Sequence, residues 1–241
     1  MRKIDFSKLI QEEIKLVKLH EAGEAAGKLE IVKMSYEQAK TFMEEIDLLD
    51  KVDDFADKFA YTQKLAKLGR TKRKDMPVID DSDVKKFQMR LKLGTIDVKK
   101  PFAPTTDPKN PWPEGLGGWD AEDFVKRGLK DGSKEDDKIG VTIKRVEVGK
   151  LKPIQKQIYF DKSMGMTAKS GVKNTLSFLG SKTFFVASDD NFIIDGHHRW
   201  LSGIVLDPKL KVNVLSIGLP IKELLPMTTA YGDAIGNKRN Q

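Results

Sequence analysis

Residues 195–199 read Asp-Gly-His-His-Arg and hold two of the three histidines in the chain. The apolar run Phe192-Ile193-Ile194 precedes them, and Trp200, Leu201, Ile204 and Val205 follow at helical spacing until Pro208. This pattern predicts a strand, a glycine turn and a helix. The first turn of a helix carries backbone N–H groups without intrahelical acceptors, and the helix dipole adds partial positive charge there. A phosphate is therefore favoured at that end. Gly196 lets the chain turn sharply and lets an anion approach the backbone. His197 and His198 add donors, and a histidine can move a proton near neutral pH. Arg199 adds a planar fork that suits phosphate oxygens. Asp195, at the strand end, has three uses open to it: holding magnesium, orienting a histidine, or capping the helix. Zinc fits less well, because adjacent histidines point in different directions and a third ligand would come from Asp195 or a distant carboxylate.

The elements that must position this segment can be read on both sides of it. Thr183–Ala187 and Phe192–Ile194 are strands joined by the turn Ser188-Asp189-Asp190-Asn191, which predicts a hairpin. Val212, Val214 and Leu215 form a further strand beyond Pro208. Upstream, Val141, Ile143, Val146 and Val148 alternate as a strand, broken by Leu151-Lys152-Pro153, and short helices fit 155–166 and 172–179. Residues 140–225 thus read as a small α+β domain with a mixed sheet.

A largely helical region, residues 1–75, precedes it. Leu9, Ile10, Ile14, Val17 and Leu19 mark one helix over about 6–22, with His20 on its surface. The capping box Ser35 to Gln38 opens a long apolar stripe through Ala39, Phe42, Met43, Ile46, Leu49, Val52, Phe55 and Phe59, with Gly69 as its stop. Such a stripe packs on the rest of the protein or on a protein partner. Residues 76–139 form a Pro/Gly-rich connector with short helices around 83–91 and 121–129. Trp112 and Trp119 either anchor it onto a domain or form a partner or base-stacking surface, and a charged turn spans 131–138. Residues 226–241 read as a polar tail.

The 241 residues are 39% hydrophobic and 33% charged, enough apolar material for a core. No apolar run approaches the roughly 20 residues needed to cross a bilayer, and no signal core follows Met1-Arg2-Lys3. The expectation is a soluble, cytoplasmic protein with no membrane partner. The absence of cysteine excludes thiol chemistry, disulfides and cysteine-ligated zinc. A net charge of +7 favours polyanions, DNA among them. The cluster Arg70, Lys72, Arg73 and Lys74 either serves a helix C-terminus or contacts nucleic-acid phosphates.

Leu151-Lys152-Pro153-Ile154-Gln155, then Asp161-Lys162, then Ile193 to Trp200 resemble, in order and distance, the ParB/sulfiredoxin superfamily. The resemblance covers about residues 140–225. It implies a small α+β fold whose helix N-terminus binds nucleotide phosphates, with His198 and Arg199 as the phosphate-binding pair. In sulfiredoxins the catalytic cysteine stands where His197 does, so sulfinic acid reduction is excluded. Free serine kinases of the superfamily carry a similar segment and a glutamate base after the proline. This chain has Gln155 there, and an amide is no general base. ParB proteins bind CTP with a related segment and DNA with a separate helix-turn-helix, for which the room beyond residue 225 is too small.

Three functions follow as expectations. The first is an enzyme acting on ATP or another nucleoside triphosphate with Mg²⁺, as phosphotransferase or NTPase. In it Gly196, His197, His198 and Arg199 hold phosphates, Asp195 places the metal or a histidine, His197 transfers a proton, and Gln155 holds the phosphate chain or orients the acceptor. The second is a ParB-like nuclease or DNA-binding protein using Arg70–Lys74. The third is a nucleotide-gated module whose N-terminal helices meet a protein partner.

Overall fold

The computed structural model describes residues 27–79, 81–98, 125–129 and 137–237. The helix expected over 6–22, His20, Trp112, Trp119 and most of the 131–138 turn lie outside these residues.

Alternating apolar residues build one sheet. Its strands are β1 (Val141–Glu147), β2 (Lys152–Pro153), β3 (Phe184–Ser188), β4 (Phe192–Asp195) and β5 (Lys211–Ile217), in the order β1-β5-β3-β4-β2. The sheet is mixed: β1 with β5 and β3 with β4 run antiparallel, while β3 with β5 and β2 with β4 run parallel. Side chains of successive strand residues point to opposite faces, and both faces are covered. Phe185, Ala187, Ile193, Val212 and Val214 belong to one buried cluster; Val186, Ile194, Leu215 and Ile217 belong to the other. The predicted β3–β4 hairpin forms, with Asn191 left-handed in its turn at φ 65°.

Seven α-helices are present among the described residues: α1 (Tyr36–Glu45), α2 (Phe55–Ala66), α3 (Asp81–Leu93), α4 (Phe160–Ser170), α5 (Val172–Ser177), α6 (His197–Leu206) and α7 (Ile221–Ala234). The architecture is mixed α/β, in keeping with an α+β class. The capping box on α1 forms as the sequence predicts, Ser35 accepting from the Gln38 N–H and Gln38 reciprocating. The apolar stripe behind it is two helices rather than one. Asp47 (φ 56°) and Asp54 (φ 51°) both adopt the left-handed conformation that aspartate tolerates, and a 3₁₀ turn at Leu49–Lys51 separates α1 from α2.

This helical region is no separate unit. Ile31, Phe42, Met43, Phe55 and Phe59 are buried in the same cluster as Phe160, Trp200 and Leu201. Backbone pairing ties the segment down: the Ile31 N–H donates to the Ile158 carbonyl, and the Phe160 N–H donates to the Leu29 carbonyl. The buried Asp161 carboxylate accepts from the Lys28 and Leu29 N–H groups at 2.9 and 3.3 Å. Of the two uses open to the stripe, its buried residues pack on the rest of the protein.

The other face is covered by α3 and α7. Phe87 and Leu91 of α3 meet Leu224, Met227 and Tyr231 of α7, with the Phe87 and Tyr231 rings 4.4 Å apart. Two boundaries change here. The connector contributes α3 to the core, and the tail expected from 226 is helix through Ala234, because its apolar residues complete this cluster.

Candidate functional site

Gly196 joins β4 to α6 with φ 106° and ψ 18°, a conformation that strains any residue with a Cβ. A Cβ there would also lie 2.8 Å from the Phe185 ring. The helix start has no side-chain cap, so its first-turn amides keep the donor character that favours an anion. Asp195 does not cap; it bonds Arg199 one turn on. Arg199 also lies over the Phe185 ring, 5.8 Å from its centroid. The pair holds the guanidinium at the mouth of the helix.

The two histidines point apart, as adjacent residues must. His197 is 5% exposed, and its Nε2 accepts from the Ile154 and Gln155 N–H groups at 3.3 and 3.2 Å. The proton therefore sits on Nδ1. Burial, followed by the charge of His198 and Arg199, lowers its pKa from 6.5 to about 3. A neutral imidazole whose lone pair is engaged by two backbone donors is a brace for residues 154–155. It is poorly suited to the proton transfer expected of it, because the group neither charges near pH 7 nor has Nε2 available. His198 is half-buried, accepts from the Tyr159 N–H at 3.4 Å and stacks on the Tyr159 ring. Burial, then Arg73 and Lys162, lower its pKa to about 3.

Those two cations are what sequence reading did not place here. The segment after α2 does not act as a helix C-terminal charge cluster. Arg70 and Thr71 donate to the Ile154 carbonyl, and Lys156 donates to that of Thr71, so 70–74 pairs with the chain behind Pro153. Gly69 lies so close to the Gln155 carbonyl that a Cβ has no room. The Gln157 side chain accepts from the Arg73 N–H at 2.8 Å, and the guanidinium lies 5.5 Å from the Tyr159 ring centroid. Arg70, Lys72 and Lys74 stay exposed. Lys162 stands on the first turn of α4, its pKa lowered by burial and then by Arg73, with Asp161 pulling the other way. Neither Arg73 nor Lys162 joins a salt bridge among the described residues.

These groups enclose a cavity of about 330 Å³. Arg73, Lys162, His198 and Arg199 supply its polar wall beside the Gly196 turn, Met76, Pro77 and Ile79 its apolar wall, and Asp195 the one carboxylate among the described lining residues. Gln155 is buried there, its amide donating to the Gln157 carbonyl. Asp195, Gly196, His197, His198, Arg199, Gln155 and Arg73 are thus brought together; Arg70, Lys72 and Lys74 are not. The only sequence signal at Lys162 is the Asp161-Lys162 pair, one of the marks of the resemblance. No group of three metal-ligating side chains occurs among the described residues, and no helix there is long and apolar enough to cross a membrane. Comparison with family models, curated proteins and solved structures yields no match.

Proposed function

We propose that the cavity at the start of α6 binds a nucleoside triphosphate by its phosphates and that the protein is an NTP-dependent phosphotransferase or NTPase of ParB/sulfiredoxin-like fold. One observation carries this reading. Three cations from distant parts of the chain, Arg73, Lys162 and Arg199, converge with an uncapped helix N-terminus, and Asp195 is the one carboxylate lining the space among the described residues. Burial, and after it the neighbouring cations, depress the Lys162 and His198 pKa values, and a polyanion offsets the crowding of like charges.

In this reading Arg73, Lys162 and Arg199 neutralise phosphate oxygens, the amides after Gly196 donate to one phosphate, and His198 Nδ1–H donates to another. Phosphoryl transfer draws most of its acceleration from such positioning and charge, which suits a site lacking a poised histidine base. Mg²⁺ fits as an ion carried mainly by the phosphates, with Asp195 as its protein oxygen ligand. The cytoplasm, where such nucleotides are held, suits a chain without cysteine.

Titration with tripolyphosphate and a nucleotide panel, with and without Mg²⁺, tests the reading by thermal shift. Binding that is lost in Arg199→Ala, with phosphate release in the wild type, supports it. A melting point indifferent to every polyphosphate refutes it. A second reading, nucleic-acid binding with nuclease activity, is favoured by the exposed Arg70, Lys72 and Lys74 beside the cavity. Steep loss of DNA retardation with salt, and plasmid cleavage without nucleotide turnover, would select it.

A further inference from the structure

A second cavity, of about 400 Å³, lies on the other side of Arg199. It takes residues from the same two helices that line the first. Lys162 of α4 faces the first cavity, and Met166 and Ser170, one and two turns along that helix face, line the second. On α6, Arg199 lines both, and Ser202 follows in the second. The far wall is α5 and the π-helical turn Phe178–Lys182, with Asn174, Phe178, Leu179 and Lys182 in contact with the space. Turns of this kind are rare and concentrate at functional sites.

The linings differ in chemistry. The first cavity is cationic. The second combines an aliphatic and an aromatic surface with neutral hydroxyl and amide groups and, among the described residues, two cations and no carboxylate. Phe178 and Met166, 42% and 46% exposed, both line this cavity and give it an accessible apolar surface. In size the first cavity, at about 330 Å³, sits at the floor of the range for small-molecule sites. It has room for a phosphate chain, and the two cavities together reach the middle of that range.

We infer that the second cavity is the nucleoside subsite of the same ligand: the base lies against Phe178 and Met166, and Arg199 holds the phosphate that joins the two halves. This rests on the phosphate reading of the first cavity. The lining fits one occupant, a flat uncharged heterocycle bearing hydrogen-bonding groups and tied to an anion. Stacking supplies affinity, neutral side chains meet the polar edge, and Lys182 and Arg199 attract the phosphate end.

Calorimetric titration with tripolyphosphate and with ATP, GTP, CTP and UTP tests it. At least one nucleotide is expected to bind about tenfold or more tighter than tripolyphosphate, the scale of one stacked base. In Phe178→Ala, a change at an exposed side chain, the ratio of the two affinities falls towards one. Ser170→Trp, which fills the cavity from the exposed end of α4, collapses the same ratio. Tripolyphosphate binding as tightly as every nucleotide, or a ratio untouched by both variants, overturns this inference and leaves the phosphate site standing. Binding of no polyphosphate at all overturns the phosphate reading, and this one with it.

Discussion

Two stretches of the chain meet in this molecule and contribute unequally. Residues 141–217 hold the sheet, the glycine turn and α6, and most of their elements follow from local pattern. The exceptions are Lys152–Pro153, expected as a break but paired as β2, the helix expected over 155–166, which runs Phe160–Ser170, and the one expected over 172–179, which ends at Ser177 in a π-helical turn. Residues 28–79 add two helices that cover one sheet face and then a short segment that threads past Pro153 to deliver Arg73. The first stretch carries the Asp195–Arg199 segment; without the second the cavity beside that segment lacks a wall and a cation. A site can be announced by one segment and completed by another that has no signature of its own.

The largest effect should come from breaking the contact between the two stretches. Phe160 is fully buried and meets Phe42, Phe55 and Phe59 at ring separations of 6.0, 6.3 and 6.1 Å. Phe160→Ala should cost about 3–5 kcal/mol in urea unfolding, the range for deleting a core aromatic. A cost below about 1 kcal/mol would mean that the helices and the sheet are stable apart.

Next comes the contribution of residues 28–79 to binding. Arg73→Ala should weaken tripolyphosphate binding about ten- to a hundredfold, the worth of one charged hydrogen bond, while the unfolding midpoint changes little. Lys40→Ala removes the same charge from the exposed face of α1 and should leave affinity within about twofold, since remote surface charges are screened. Equal losses in the two variants would reduce the role of Arg73 to net charge.

That contrast also explains what could be read in advance. The hairpin, α6 up to Pro208, β1 and the capping box at Ser35 are local patterns, and each formed. The break at Asp47 and Asp54 was hidden because both residues carry ordinary helical neighbours, and only tertiary packing makes the left-handed turns worthwhile. The helix through Ala234 was hidden because Thr228, Thr229 and Asp233 dilute its apolar face. Five residues of the site lie consecutively at 195–199 and could be found together. Arg73 and Lys162 come from 122 and 33 residues before Asp195 in a numbering that says nothing of their meeting. The bracing of residues 154–155 by His197 was hidden for a related reason: its partners, the Ile154 and Gln155 N–H groups, are 43 and 42 positions away.

A smaller effect, spread over pH, separates the brace from the wall. An unfolded histidine titrates near 6.5, and folding lowers both His197 and His198 to about 3. Between those values the unfolded chain binds protons that the folded chain does not. Stability is therefore lost as pH falls from about 6.5 towards 3, and neither group contributes above that window. Thermal melts should show a shallower acid decline in His198→Gln than in the wild type. Bound tripolyphosphate should delay the wild-type decline, because an anion beside His198 raises its pKa. Parallel declines in both proteins would place His198 in a more solvated setting than its burial implies.

The smallest expected effect asks how α2 is fastened to the strand segment. The Tyr61 hydroxyl donates to the Gly149 carbonyl at 2.9 Å, and the Lys58 ammonium donates to the Leu206 carbonyl at 2.9 Å. Both bonds reach from the helical stretch to the turn after β1 and the last residue of α6. Tyr61 is 40% exposed, so water can replace its hydroxyl at Gly149. Tyr61→Phe should then cost about 0.5–1.5 kcal/mol, the net worth of one neutral hydrogen bond. If the two stretches fold as one unit, that loss appears as a uniform shift of a single transition, with fluorescence and circular dichroism coinciding. If α2 detaches first, the substitution splits the transition, and the affinity for tripolyphosphate falls with the earlier phase as Arg73 leaves the cavity. The coincidence of the two probes decides between a wall built into the fold and one docked onto it.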